Sequence, residues 1–452
     1  MDRAAPKNLN YQDVLPVAIS SKAQTRSFFP EGGAIYGPIG GAHPNVVRIP
    51  VSADAFIDGP NSYIRCDLKN TQGTHELGLD FPQSFIRRVR ILSGDGVVIE
   101  DIDGYNRLYA GILYPTQASM GMYSEGGITN GQNDQFKSTV AGTGTPLTSV
   151  SVATNATPLH NVQTQLVNGA TSHLCFNLAA GFLNMDKYIP ALMMSSGFII
   201  EISLDVAGSV GIAKTAGPVW QISNWRYEAH LVNLDRDFSD RLRMVMEASG
   251  GVLQLASSTY RHFSGQWTGG TAAASVNCPV RAKSIKSILF KNTVESEVTG
   301  FVKYGISNGV SHGIDSFQFR VGSVNYPSQP VDCGTAAANK AVPYMELRKA
   351  FGTLNDYLHG SPIIQKGTYL AQPAAGAGSL QDAVVGALGY SFDAFPSTAL
   401  ESGVNSAANS LVTTLELRGN ASAGSATTTV DVFALVDMMV YINLDGSTSV
   451  SI

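Results

Sequence analysis

The feature that most constrains this chain lies near its end, where Val430, Val432, Ala434, Val436, Met438, Val440, Ile442 and Leu444 occupy every second position. A period of two sustained over that length is the mark of a β-strand with one face in a core, and it fits no helical repeat. A shorter run, Phe198, Ile200, Ile202, Leu204 and Val206, repeats the pattern in the first half. Strands of this kind need a second sheet to bury against. At 452 residues the chain exceeds what one core usually serves, so two domains are expected. The 46 glycines and 20 prolines supply the turns that many strands require.

The stretch from Ser84 to Pro115 shows how the elements connect. Val89 and Ile91 oppose Arg88 and Arg90, which predicts a strand. Gly94, Asp95 and Gly96 supply a hairpin turn, and Val97 to Ile99 return from it. Asp101 or Asp103 is placed to cap a short helix in which Tyr105, Leu108, Tyr109 and Ile112 share a face, with Pro115 as its stop.

Residues 1–43 are rich in turn residues and read as an extended arm. The first domain is expected over 44–249. Val47, Ile49 and Val51 alternate in a strand whose Pro50 implies an edge or a bulge, and Ile64, Cys66 and Leu68 follow. From 116 to 171 the composition shifts to Gly, Ser, Thr, Asn and Gln, a long loop. In WQISNWRYEAHL, from Trp220, the apolar phase moves between Ile222 and Trp225, which predicts a β-bulge. A helix from about Asp237 to Ala248, ending at Gly250 and Gly251, leads to a second domain over 250–452.

The second half repeats the plan. Strand-like runs begin at Val252, Ser284 and Ser316, and Pro343 opens a helix with Tyr344, Leu347, Phe351, Leu354 and Leu358 on one stripe and Gly360 as its stop. An Ala/Gly-rich loop at about 366–389 precedes Leu411, Thr413, Leu415 and Leu417 and then the long alternation. The expected fold is all-β: two tandem antiparallel β-sandwiches with short helices and long loops.

Charge narrows the function. A net charge of −5 and a pI near 5.9 argue against a protein built to grip nucleic acid, which needs clustered Lys and Arg. Charged residues make up only 14% of the chain, a surface suited to burial against copies of itself. The apolar run Val14 to Ile19 is too short for a signal-peptide core, and Val432 to Leu444 is too short and too polar to span a bilayer, so a soluble protein is expected. Cys66, Cys175, Cys278 and Cys333 are far apart, without the spacing of a zinc site or disulfide framework, and imply a reducing compartment.

Enzyme-like motifs lack their context. Gly305-Ile306-Ser307-Asn308-Gly309 matches G-x-S-x-G, with His312 and His359 downstream, but a strand-like run follows where the motif needs a helix. Glu100, Asp101 and Asp103 lack calcium-loop spacing and read as cap and solvated edge. The histidines at 43, 75, 160, 173, 230, 262, 312 and 359 include no H-x-H or H-x-x-x-H pair. Asn155 and Asn420 sit in glycosylation sequons without a secretory signal. No catalytic, cofactor-binding or metal site is therefore expected, and no cofactor.

The succession RIPVSADAFIDGPNSYIRCDLKN, SFIRRVRILSGDGVVIEDIDGYNRL and SFQFRVGSVNYPSQPV, closed by a β-rich end, resembles the double jelly-roll major capsid proteins of tailless double-stranded DNA viruses, in the style of polinton-like viruses, virophages and phycodnaviruses. The resemblance covers about 45–445. It implies two eight-stranded jelly rolls side by side and a homotrimer that forms a pseudo-hexameric capsomer. Such capsomers tile an icosahedral shell assembled inside the host cell. The partners implied are other copies, penton and minor or cement proteins, and an underlying membrane or genome met through the N-terminal arm. The competing reading is a carbohydrate-binding β-sandwich such as a viral spike or lectin. Loop aromatics should cluster in such a protein, whereas 116–171 holds only Tyr123 and Phe136.

Overall fold

A computed structural model describes residues 20–71, 77–79, 83–117, 169–209, 211–213, 219–248, 250–293, 313–334, 340–354, 364, 369–370, 386–395, 402–408, 411–419 and 427–452. Eight principal strands precede residue 235: β1 (Ser21–Phe28), β2 (Val46–Val51), β3 (Phe56–Asn70), β4 (Ile86–Ser93), β5 (Val98–Asp103), β6 (Thr171–Phe176), β7 (Phe198–Leu204) and β8 (Trp220–Leu234). Eight more follow residue 251: β9 (Val252–Trp267), β10 (Ala273–Cys278), β11 (Ile285–Thr293), β12 (Ile314–Val321), β13 (Val324–Asp332), β14 (Leu388–Ser391), β15 (Thr413–Gly419) and β16 (Thr428–Asn443).

The first set forms two sheets in the orders β1-β8-β3-β6 and β2-β7-β4-β5. The second forms β9-β16-β11-β14 and β10-β15-β12-β13. Adding eight to each label of the first pair of sheets reproduces the second pair. All of these strand pairings are antiparallel. Each half is thus a jelly roll and the fold is the double jelly roll. The repeat is one of topology, carried by two different sequences.

Several local expectations hold. Val430, Val432, Ala434, Val436, Met438, Val440 and Ile442 are all buried. Pro50 lies in β2, an edge strand, where its missing N–H costs no ladder bond. The register between β8 and β3 slips between Ser223 and Arg226, with Asn224 at φ 54°, which is the bulge expected there. The β4–β5 turn closes by the Gly96 amide donating to Ser93, and of its two glycines Gly96 is the one with positive φ.

Others are corrected. Residues 21–36 are part of the first roll: β1 lies along β8, Ile35–Tyr36 adds a short pairing to the same strand, and Phe28 and Tyr36 are buried. The arm reading failed because β1 is held through its backbone, with the side chains of Ser21 to Arg26 exposed, so no apolar alternation marks it. Leu444 lies beyond the end of β16 and is exposed.

The helix after β5 is capped by neither Asp101 nor Asp103. Both belong to β5, and the cap position is Gly104 at φ 61°. The helix runs as α1 (Tyr105–Leu108), a π-helical turn Tyr109–Leu113, and α2 (Tyr114–Gln117), so Pro115 sits inside the last turn rather than ending the helix.

α3 (Arg236–Ala248) joins the rolls and ends as expected, the Gly251 amide donating to the Met246 carbonyl at 2.7 Å. α4 (Ala341–Ala350) starts two residues before Pro343 and ends well short of Gly360, with Gly352 at φ 68° behind it. Most of the long loop and of the Ala/Gly-rich segment lies outside the described residues, as do both sequons.

Candidate functional site

Two cores stabilise the molecule. One lies inside the second roll, between Val430, Val432, Phe290 and Phe319. The other fills the first roll and continues across its boundary to Leu255, Leu289, Phe433 and Val440 of the second. β16 is therefore buried on both sides: its even positions down to Val436 face its own core, while Phe433 faces the other roll. Burying one such aromatic side chain is worth about 2–3 kcal/mol. This seam is the feature that makes two sandwiches one body.

The seam also holds charge. Asp431, on β16, has a side chain 2% exposed. The Arg107 guanidinium, from α1 of the first roll, donates to it from Nη1 at 3.0 Å, and His262 Nε2 of β9 lies 2.9 Å away. The Thr293 hydroxyl of β11 donates to the same carboxylate at 3.2 Å. Burial alone would push this carboxyl up. The His262 hydrogen bond and the Arg107 charge outweigh it and hold the group below the ordinary carboxylate range. The His262 ring also stacks on Phe433, centroids 4.7 Å apart.

The chain leaves room for this contact by glycine. At Gly104 the backbone is left-handed, and a Cβ would press on the His262 ring at 3.0 Å. At Gly181, in the β6–β7 connection, a Cβ would collide with the Ser258 carbonyl of β9. The Gly181 and Phe182 amides donate at 2.9 and 3.0 Å to the two oxygens of Glu100. Glu100 is thus buried beside the seam and is not part of a solvated edge. Burial pushes its carboxyl up, and the two amide bonds only partly offset this.

The remaining acids of the triplet are dispersed. Asp101 forms a two-bond ion pair with Arg88 at 2.7 and 2.6 Å, and Asp103 ends β5, exposed. Arg90 and Arg48 pair with Glu201, so the outer face of this sheet is a charge ladder. Ser307, His312 and His359 lie outside the described residues. Among the described residues no group of three His, Cys, Asp or Glu side chains is arranged to hold a metal ion, and no helix is long and apolar enough to cross a membrane. The four cysteines are free; Cys66, Cys278 and Cys333 are buried. Burial pushes the Cys278 and Cys333 thiols up to about 12, far from a reactive thiolate.

Sequence inspection missed the Arg107–Asp431–His262 group. The available signal was Asp431 itself, an acid on the non-alternating side of an otherwise apolar strand.

No protein-family model matches the chain, and no curated protein matches its sequence. Solved structures do match in shape. The PBCV-1 protein VP54, fitted into a cryo-EM reconstruction of the virophage Sputnik, superimposes with a TM-score of 0.58 at 11% identity, covering 98% of this chain and 99% of its own. The Faustovirus major capsid protein gives 0.59 at 11% identity over 95% and 92%. The mavirus major capsid protein gives 0.53 at 10% identity over 100% and 95%. At such identities the likeness is one of fold, and it extends along nearly the whole of each chain.

Proposed function

We propose that this chain is a major capsid protein, three copies of which form a pseudo-hexameric capsomer of an icosahedral virus shell. The observation that carries the reading is the congruence of the two rolls: one chain presents two lobes of the same strand order, so three chains about one axis present six. The shape likeness to the capsid proteins of PBCV-1, Faustovirus and mavirus supports it. The two rolls act as domains that meet near residue 250, locked by the buried seam so that the pair behaves as one tile. The protein is placed in the virion after assembly in the host cell, with penton and cement proteins as further partners. The extreme N-terminus is where a membrane or genome would be met. No enzymatic role is assigned, and Ser307→Ala is expected to remove no activity. The carbohydrate-binding reading gains no support from any of these observations.

Native mass spectrometry of the purified protein tests the proposal. A trimer that survives moderately high salt is expected, because burial rather than exposed ion pairs holds it. A stable monomer or dimer at micromolar concentration would defeat it.

A further inference from the structure

Within one chain the rolls meet in a defined way. The edge strand β5 of the first roll packs on β9 of the second. Half of β5 is buried: Ile99, Glu100 and Ile102. The counterparts of these two strands, found by adding or subtracting eight, are β13 and β1. Among the described residues neither meets a strand of the other roll to that extent, and outside its sheet β13 is touched by α4. β13 is also the edge of its sheet, and Val324, Asn325, Ser328, Gln329, Pro330 and Asp332 are exposed. β1 exposes every side chain from Ser21 to Arg26.

The charges differ in sign. β1 carries Lys22 and Arg26 and no acid, while β13 carries Asp332 and no base. Pro327 and Pro330 remove two amide donors from β13, so its exposed edge is unsuited to extending another sheet and suited to packing by side chains, as β5 does.

We propose that β13 of one copy docks on β1 of the next, repeating between chains the β5–β9 contact made within each chain. The inference rests on the capsomer reading above and deepens it by naming the surfaces. The contact is heterologous, and alternating it with the internal seam closes a ring of six rolls after three chains.

The test uses the full-length protein with Lys22→Glu/Thr25→Glu, both exposed positions on β1, and separately Asp332→Lys on β13. Each variant alone is expected to raise the trimer dissociation constant about tenfold, on the order of 1.4 kcal/mol. The combined variant should regain most of the loss, since the reversed charges again oppose. A carbodiimide cross-link between Lys22 and Asp332, found between isotopically light and heavy subunits of a mixed trimer, should accompany the wild type. A trimer unaffected by either change, with no such link, would overturn this docking surface while leaving the capsomer reading intact. A wild-type monomer would overturn both.

Discussion

Arg107 and Asp431 are 324 positions apart in the chain, yet the guanidinium of one lies 3.0 Å from the carboxylate of the other, in a seam where the acid is almost wholly buried. The pair spans the two rolls, and its energetics decide how firmly they hold together.

Asp431→Asn should cost about 3 kcal/mol of stability, because it leaves Arg107 and His262 facing a neutral group in a buried site. Replacing Arg107 with Met as well should recover part of that loss, since the cation that faced the carboxylate is then removed. Urea denaturation of the two variants checks this; equal stability of Asp431→Asn and wild type would contradict the structural role.

Acid should loosen the seam through Asp431. Its folded-state pKa lies below the ordinary value, so its contribution is present above that value and is lost as pH falls below about 4. Glu100 has the opposite sign: its raised pKa makes its contribution greatest below the ordinary carboxylate value of about 4.3, and it fades as pH rises above that. Stability measured against pH should therefore keep a steeper rise above pH 4 in Glu100→Gln than in wild type, and a shallower acid limb in Asp431→Asn.

Gly181→Ala should destabilise by more than the fraction of a kcal/mol expected of an open site, because the added methyl meets the Ser258 carbonyl. Gly96→Ala serves as comparison: its backbone is left-handed, unlike that of Gly181, and nothing lies near the added carbon. A loss at Gly181 no larger than that at Gly96 would contradict the close approach of the second roll at that position.

Of the four thiols, Cys175 alone is partly exposed. A thiol reagent applied to the native protein should modify it first, with Cys66, Cys278 and Cys333 reacting only on unfolding. Rapid modification of all four would contradict the described burial.

The sequence by itself determined that the chain is built of two successive sets of strands, because period-two alternation reports burial on one face of a strand without reference to its partners. Phe198 to Leu204 and Val430 to Ile442 are the clearest cases, and the bulge at Asn224 was visible as a change of phase in the same signal. It also determined the glycine stop of α3, a matter of local backbone geometry.

What only the tertiary structure decided were features held by distant groups. β1 joins the first sheet through backbone hydrogen bonds that leave no side-chain pattern. Glu100, which looked solvated, is buried because two amides some eighty residues later reach it. The second face of β16 is covered because another roll lies on it, and Asp431 is tolerable there only because Arg107 and His262 arrive from elsewhere in the chain. Alternation records which residues a strand hides in its own sandwich; what the other face meets depends on how the two sandwiches pack, a long-range arrangement that no local spacing encodes.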